Sequence, residues 1–236
     1  MKQVDRQAQQ ESPKNRVMEA VTAFLTKYRK PILFVIVGIA VVVVGLVVIL
    51  SVQNARNEAA LEAVETLQQE FGEWTSLEAD EQEAGLADLS DQAAEIIDTY
   101  PGTYAAARAR IVEARAFFEL KRWVDSGERF LEVAQTKPDS YLAPVSLMDA
   151  AVALENGGQI DRAMELHQRI VDEYDDASAE APRALFSIAR IHESADRIAE
   201  AAEAYRQLID DYPASSWTNL ARNRIITLTV EGRIGG

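Results

Sequence analysis

Residues 32–52 form a run of twenty-one amino acids without a charged side chain, and thirteen of them are Val or Ile. A helix needs about 20 apolar residues to cross a bilayer core of roughly 30 Å. In water such a run would favour a β-strand that aggregates when exposed. In lipid only a helix satisfies all backbone polar groups within one segment. The run therefore predicts a transmembrane helix, which we place at residues 31–55.

Charged residues are distributed unequally on the two sides of this span. Residues 1–30 carry seven basic and three acidic side chains, whereas residues 57–107 carry thirteen acidic side chains and no basic one. Positive charge close to a span stays in the cytoplasm. We therefore expect a cytoplasmic N-terminus and a soluble domain, residues 56–236, on the opposite side of the membrane.

A cleaved signal peptide is the competing interpretation of the apolar run. Its apolar core would be about 7–15 residues long and would be followed by a small-residue cleavage site. The run here is longer, and thirty residues precede it, which favours an uncleaved anchor. The chain has no cysteine, so disulfides, thiolate metal sites and a lipidated cysteine are all excluded.

The segment ahead of the span has two parts. Residues 1–12 are polar and predicted to be a disordered cytoplasmic tail, and residues 13–30 are predicted to be a basic amphipathic juxtamembrane helix. This helix suits either anionic lipid or a membrane protein partner, and the sequence leaves both open. Within the span, Gly38 and Gly45 lie on one face and are candidates for close helix packing, although glycine is common in membrane helices anyway.

Three segments of the soluble domain, residues 123–138, 160–175 and 198–213, align without gaps at spacings of 37 and 38. Each contains a small residue, a ring four residues later, an aliphatic residue three after that, and a helix end five further on. These positions are Ser126, Phe130, Val133 and Pro138, then Ala163, His167, Ile170 and Asp175, then Ala201, Tyr205, Leu208 and Pro213. Offsets of 4 and 3 place the first three on one helical face.

A second helix is predicted ahead of each copy, with its small residue at Ala114, Ala151 or Ala189. The repeat pairs then span about 102–138, 140–175 and 179–213, with a divergent pair at 57–101, a polar loop at 75–85 and a capping helix at 216–231. A single pair cannot bury its own apolar face, so neighbours stack. The predicted fold is all-α: one N-terminal transmembrane helix followed by a helical-repeat solenoid.

The offsets of 4, 3 and 5 resemble the second helix of tetratricopeptide repeats, over roughly residues 86–231. That family has a usual period of 34, and the chain lacks the usual Trp and Leu-Gly of its first helix. The resemblance implies a protein-binding scaffold whose first helices line a concave groove. The groove positions it implies are Arg108, Ile111, Arg115, Phe118, Val145, Met148, Val152, Arg183, Phe186 and Arg190.

Arginine beside phenylalanine suits an extended peptide or a carboxylate. Alternatively, these arginines only offset the acidic field of the domain. Residues 57–236 hold 16 basic and 35 acidic side chains, a balance that argues against nucleic acid, whose phosphates attract basic surfaces. No catalytic or phosphate-binding motif is present. We therefore expect no enzyme activity and no cofactor. His167 and His192 are interpreted as packing residues, and we expect no metal site.

The layout of the whole chain, with a basic helix, one span and an acidic repeat domain, resembles the YfgM family, the ancillary subunit of the bacterial SecYEG translocon. This resemblance implies the bacterial inner membrane, a periplasmic repeat domain, and translocon subunits, periplasmic chaperones or exported clients as partners; a homo-oligomer is compatible with it. The repeats also resemble the periplasmic division-coordinating family and outer-membrane assembly lipoproteins. The uncleaved span and the missing cysteine count against both.

Overall fold

The computed structural model describes residues 13–174 and 178–235, which form nine helices and no strand. The helices are α1 (Pro13–Trp74), α2 (Ala79–Thr99), α3 (Tyr104–Glu119), α4 (Trp123–Thr136), α5 (Leu142–Asn156), α6 (Ile160–Tyr174), α7 (Ala181–Ser194), α8 (Ile198–Asp211) and α9 (Ser216–Val230). The predicted all-α fold is confirmed. The chain divides into two units, residues 1–55 and 56–236. The tail at 1–12 and the helix end predicted at Asp175 lie outside the described residues.

Helix α1 contains the apolar run and continues without interruption past Pro31. Its portion Leu33–Trp74 is long and apolar enough to cross a membrane, with a mean hydropathy of 3.5 over its most apolar window and none of that window buried. A methyl group added at Gly38 or Gly45 would meet no atom within 4 Å. Packing of a partner helix against these two glycines stays a prediction.

Helix α2 begins earlier than the sequence indicated, so the loop predicted at 75–85 is wrong in its second half. The helix begins at Ala79, with Asp80 and Glu81 in its first turn, where carboxylates interact favourably with the helix dipole. The Trp74 indole N–H donates to the Gln82 carbonyl at 2.9 Å, and the indole also lies against Gly85. This tertiary contact stabilises a helix start that reads as polar loop in the sequence.

The repeat positions of the second helices α4, α6 and α8 form the centre of the core. All nine of the small, ring and aliphatic positions predicted from the repeat are at most 3% exposed. Ala114, Ala151 and Ala189 of the first helices are fully buried as well. Small residues also let helices of neighbouring pairs approach closely: a Cβ on Gly127 of α4 would lie only 2.9 Å from Leu154 Cγ of α5. The predicted repeat packing is confirmed.

The turn inside each repeat pair has the same backbone geometry three times. Lys121, Gly158 and Asp196, at spacings of 37 and 38, have φ values of 59°, 74° and 61°. In each turn the following amide N–H donates to a carbonyl five residues back, at 2.8, 2.8 and 2.9 Å. This left-handed helix end reverses the chain so that each second helix packs on its own first helix.

Candidate functional site

The first helices α3, α5 and α7 present equivalent positions to one face of the repeat domain. Steps of 37 and 38 residues relate Arg115 to Val152 and Arg190, and Phe118 to Glu155 and Glu193. The side chains of Arg115, Val145 and Arg190 are exposed, and those of Arg108, Ile111, Phe118, Val152, Arg183 and Phe186 are half-buried.

Met148 is the exception among the predicted groove residues. It is fully buried in a cluster that includes Ala134, Leu147, Ile170 and Ala184. It therefore cannot contact a partner directly. The prediction that it lines an accessible groove is wrong, because residues of α4, α6 and α7 pack around this part of α5.

Three of the predicted residues meet at one cavity between α3 and α5. Arg115, Phe118 and Val152 line it together with Phe130 and Asp149, and its volume is about 200 Å³. The aromatic wall is held in place because the Phe118 ring packs edge-on against Trp123, with ring centroids 4.8 Å apart. Neither Phe130 nor Asp149 was predicted as a site residue, since Phe130 reads as core and Asp149 as one acid among many.

The mouth of this cavity carries one cation and one carboxylate that are not joined to each other. Within the described residues Arg115 makes no ion pair closer than 4 Å, and Asp149 accepts no hydrogen bond. Burial raises the pKa of the Asp149 carboxyl, while Arg115 and Arg183 pull it back down. A ligand that offers both a hydrogen-bond acceptor and a donor would satisfy this pair, and a peptide group offers both.

The equivalent position one repeat further on is closed by an ion pair. Arg190 of α7 donates two hydrogen bonds to the Glu155 carboxylate of α5, each 2.6 Å long. These hydrogen bonds raise the pKa of the Arg190 guanidinium. Arg190, predicted to be available to a partner, is therefore engaged within the chain. Phe118 and Val152 occupy the equivalent positions between α3 and α5, and an apolar cavity takes the place of the ion pair.

The remaining predicted arginines also have partners within the chain. Arg108 donates to the Gln68 side chain of α1 and lies over the Tyr104 ring. Arg183 donates to Glu180 at 3.4 Å. Among the four predicted arginines, Arg115 alone has its guanidinium uncommitted to a hydrogen bond or ion pair in the described part of the chain.

The two histidines occupy different environments. His167 is fully buried, both ring nitrogens lack a hydrogen-bond partner among the described residues, and burial lowers its pKa to about 4. His192 lines a separate cavity of about 470 Å³ with polar residues of α6, and burial lowers its pKa too. Among residues 13–174 and 178–235 no three His, Cys, Asp or Glu side chains are grouped so that they could hold a metal ion.

Comparison with known proteins finds solved structures with a similar architecture. A solved protein of Podosopora anserina, described as a kinesin light chain with nearly identical TPR-like repeats, superposes with a TM-score of 0.51, and a single-substitution variant of it with 0.52. Both are 12% identical, and the match covers 75% of this chain and 88–89% of theirs. At this identity the likeness concerns the fold alone.

A TPR repeat-containing protein of Treponema pallidum (strain Nichols) is 33% identical over 129 residues, or 55% of this chain. The match spans 53% of that relative, about half of its length. The tetratricopeptide repeat-like domain model matches residues 22–173, a range that includes the apolar run, and a further tetratricopeptide repeat model matches residues 183–215. With most of its length matched by that first model, the chain belongs to the tetratricopeptide repeat-like domain family.

Proposed function

We propose that this protein is a membrane-anchored protein-binding scaffold of the bacterial cell envelope, accessory to the Sec translocon and to the transfer of exported chains to periplasmic chaperones. The observation that carries the proposal is the combination, in one chain, of a helix with an unburied window of mean hydropathy 3.5 and a tetratricopeptide-like repeat domain. Such repeats bind proteins. The match to a repeat protein of a bacterium supports the bacterial part of the proposal.

The membrane segment restricts where binding takes place. On the basic side, Phe24 and Leu25 are exposed beside Lys27, a combination suited to the surface of anionic lipid. A tether of this kind keeps the repeat surface close to a membrane partner and raises its effective concentration there. The proposed mechanism consists of binding and release, without a chemical step.

Within the repeat domain, the cavity at Arg115 and Asp149 is the proposed contact site for a client. It combines an apolar interior with a cation and a carboxylate that have no hydrogen-bond partner in the part of the chain that the structure describes. Charge reversal by Arg115→Glu tests this directly. Arg190→Glu is a poorer test, because it would place a second carboxylate against Glu155 and disturb the contact between α5 and α7.

Site-specific photo-crosslinking in intact membranes tests the whole proposal. A photoreactive amino acid at Val152, in the cavity, is compared with one at Arg206, an exposed position on α8. We expect translocon subunits, periplasmic chaperones or exported chains to be captured from position 152 and not from 206, with less capture when Arg115→Glu is also present. Capture of division, cell-wall or outer-membrane assembly proteins alone would instead support the scaffold role in those processes.

A further inference from the structure

A second exposed feature lies at the other end of the face formed by α3 and α5. Tyr104 begins α3, and Tyr141 is the residue just ahead of α5. Their ring centroids are 6.4 Å apart and their hydroxyl groups are hydrogen-bonded. The two residues are nevertheless 42% and 66% exposed. We call this pair the tyrosine platform. Exposed tyrosines supported by arginine, here Arg108 over Tyr104, are the composition typical of binding hot spots.

The platform and the cavity are on the same strip of surface. Tyr104 and Arg115 are eleven residues apart on α3, as are Tyr141 and Val152 at α5. Eleven residues are close to three helical turns, so the two side chains on each helix lie on the same side. They are about 16 Å apart along the helix axis.

The surface between the two ends is largely apolar. Val145 is 37% exposed, and Ile111 is half-buried against the core. Arg108 donates to Gln68 of α1 and lies over the Tyr104 ring, so its charge is at the platform end of the strip. A polypeptide laid along this strip would therefore pass Arg108 at the platform, and then Ile111 and Val145, before it reaches the Arg115–Asp149 pair.

We propose that the strip between α3 and α5 binds an extended polypeptide through two apolar anchor side chains about five residues apart, one on the tyrosine platform and one in the cavity. This inference rests on the proposed function and specifies its client site. An extended chain advances about 3.3 Å per residue, so five residues cover the distance of about 16 Å. Arg115 and Asp149 then bind a carbonyl and an amide N–H of the backbone beside the second anchor.

The structure disfavours other occupants of the same strip. A cavity of about 200 Å³ holds one side chain, and is smaller than the roughly 300–1,000 Å³ typical of sites for whole small molecules. An amphipathic helix advances only about 1.5 Å per residue, so its anchors would need to be about eleven residues apart. An acidic ligand would be repelled, because residues 57–236 carry 35 acidic against 16 basic side chains.

Fluorescence anisotropy with synthetic peptides tests the spacing. The probes are short uncharged, labelled peptides of serine, glycine and asparagine that carry one phenylalanine and one leucine. The two apolar residues are five positions apart in one peptide and two apart in another, and a third contains leucine alone. The purified full chain in detergent micelles should bind the five-spaced peptide about fivefold to tenfold more tightly than the other two. Equal affinity for all three would overturn the two-anchor proposal.

Two exposed apolar residues provide a matched pair of variants. Tyr141→Ala removes half of the platform, and Ile226→Ala changes a side chain on α9 that is 60% exposed. Tyr141→Ala should remove most of the fivefold-to-tenfold advantage of the five-spaced peptide and leave the single-leucine peptide unchanged, while Ile226→Ala changes neither. An equal loss for both peptides in Tyr141→Ala would contradict the platform as an anchor site. Unchanged thermal unfolding of both variants confirms that folding is not the cause.

The result separates this inference from the proposed function. Crosslinking from position 152 to envelope proteins together with spacing-independent peptide binding would retain the scaffold and reject the two anchors. Spacing-dependent binding without any envelope partner in membranes would support the two anchors and reject the translocon-associated role.

Discussion

Lys121 has a left-handed backbone conformation that L-amino acids adopt at a cost, and glycine occupies the equivalent position at 158. Replacing Lys121 by glycine removes this cost from the folded state. It also raises the conformational entropy of the unfolded chain, which offsets part of the gain. We expect Lys121→Gly to raise the free energy of unfolding by about 0.5–1 kcal/mol. Urea unfolding of the full chain in detergent micelles, followed by circular dichroism, measures the change.

Gly158→Ala is the matched control for this substitution. It places a Cβ on an equivalent left-handed residue, in open space and so without a steric clash, and should destabilise the protein by about 1 kcal/mol. Destabilisation by Lys121→Gly would mean that the lysine side chain contributes more than its backbone strain costs.

His167 makes stability depend on pH in a defined direction. The unfolded residue titrates near 6.5, whereas burial lowers the folded pKa to about 4. Between these values the unfolded chain binds the proton and the folded chain does not. Folded-state stability is therefore fully present above pH 6.5 and falls as the pH drops toward 4. The shift corresponds to a loss of about 3 kcal/mol, which is complete only once the pH is below the folded pKa.

Replacement of His167 by phenylalanine, the residue at the equivalent position 130, isolates this effect. The raised pKa values of Glu113 and Asp149 act in the opposite sense on acidification, and they are common to both proteins. Urea unfolding at pH 7 and at pH 4.5 should show a smaller loss of stability in His167→Phe than in the unchanged protein. Equal pH dependence of the two proteins would show that His167 does not stay neutral in the fold.

At the scale of the helices, one glycine lies in a close helix contact and another lies on an open helix surface. Gly127 of α4 faces Leu154 of α5 at a distance that excludes a methyl group, whereas Gly72 of α1 has nothing within 4 Å of its added Cβ. Gly127→Ala should destabilise the domain by about 1–3 kcal/mol. Gly72→Ala should stabilise it by about 0.5–1 kcal/mol, because alanine has the higher helix propensity.

Thermal unfolding of the two alanine variants in parallel measures both effects. A neutral Gly127→Ala would show that α4 and α5 can separate slightly at no cost. An unchanged unfolding temperature for Gly72→Ala would indicate that the end of α1 frays before the rest of the domain unfolds.

The helices were predictable wherever the signal is local. Burial of Phe130, Tyr205 and Leu208 follows from offsets of 4 and 3 within a single helix, so the sequence alone identifies it. The early start of α2 was missed because it depends on the contact between Trp74 and Gln82, which polar and acidic local composition does not reveal.

The site was predictable only in part, for the same reason. Arg115, Phe118 and Val152 follow from the repeat register, but the bond between Glu155 and Arg190 joins residues 35 positions apart. Such long-range ion pairs decide which arginines are bonded within the chain and which are free to bind a partner. The burial of Met148 depends likewise on helices of neighbouring repeats.

For the whole molecule, the orientation across the membrane can be tested without altering any native thiol, since the chain has no cysteine. Single replacements Lys27→Cys and Glu165→Cys place a thiol at exposed positions in each unit. A membrane-impermeant maleimide should label position 165 in cells whose outer membrane alone is permeable, and position 27 only after the inner membrane is opened. Labelling with the opposite order would reverse the proposed topology.

The difference between the cavity at α3 and α5 and the ion pair at α5 and α7 has a consequence for engineering. Two positions decide which of them a given interface has: Phe118 and Val152 in one interface, Glu155 and Arg190 in the next. We therefore expect that the apolar part of the proposed recognition site can be moved by one repeat. An apolar pair at 155 and 190 with an ion pair at 118 and 152 would move the apolar part of the proposed pocket by one repeat. Its carboxylate would need a third change, because Ser187 stands where Asp149 stands in the first interface.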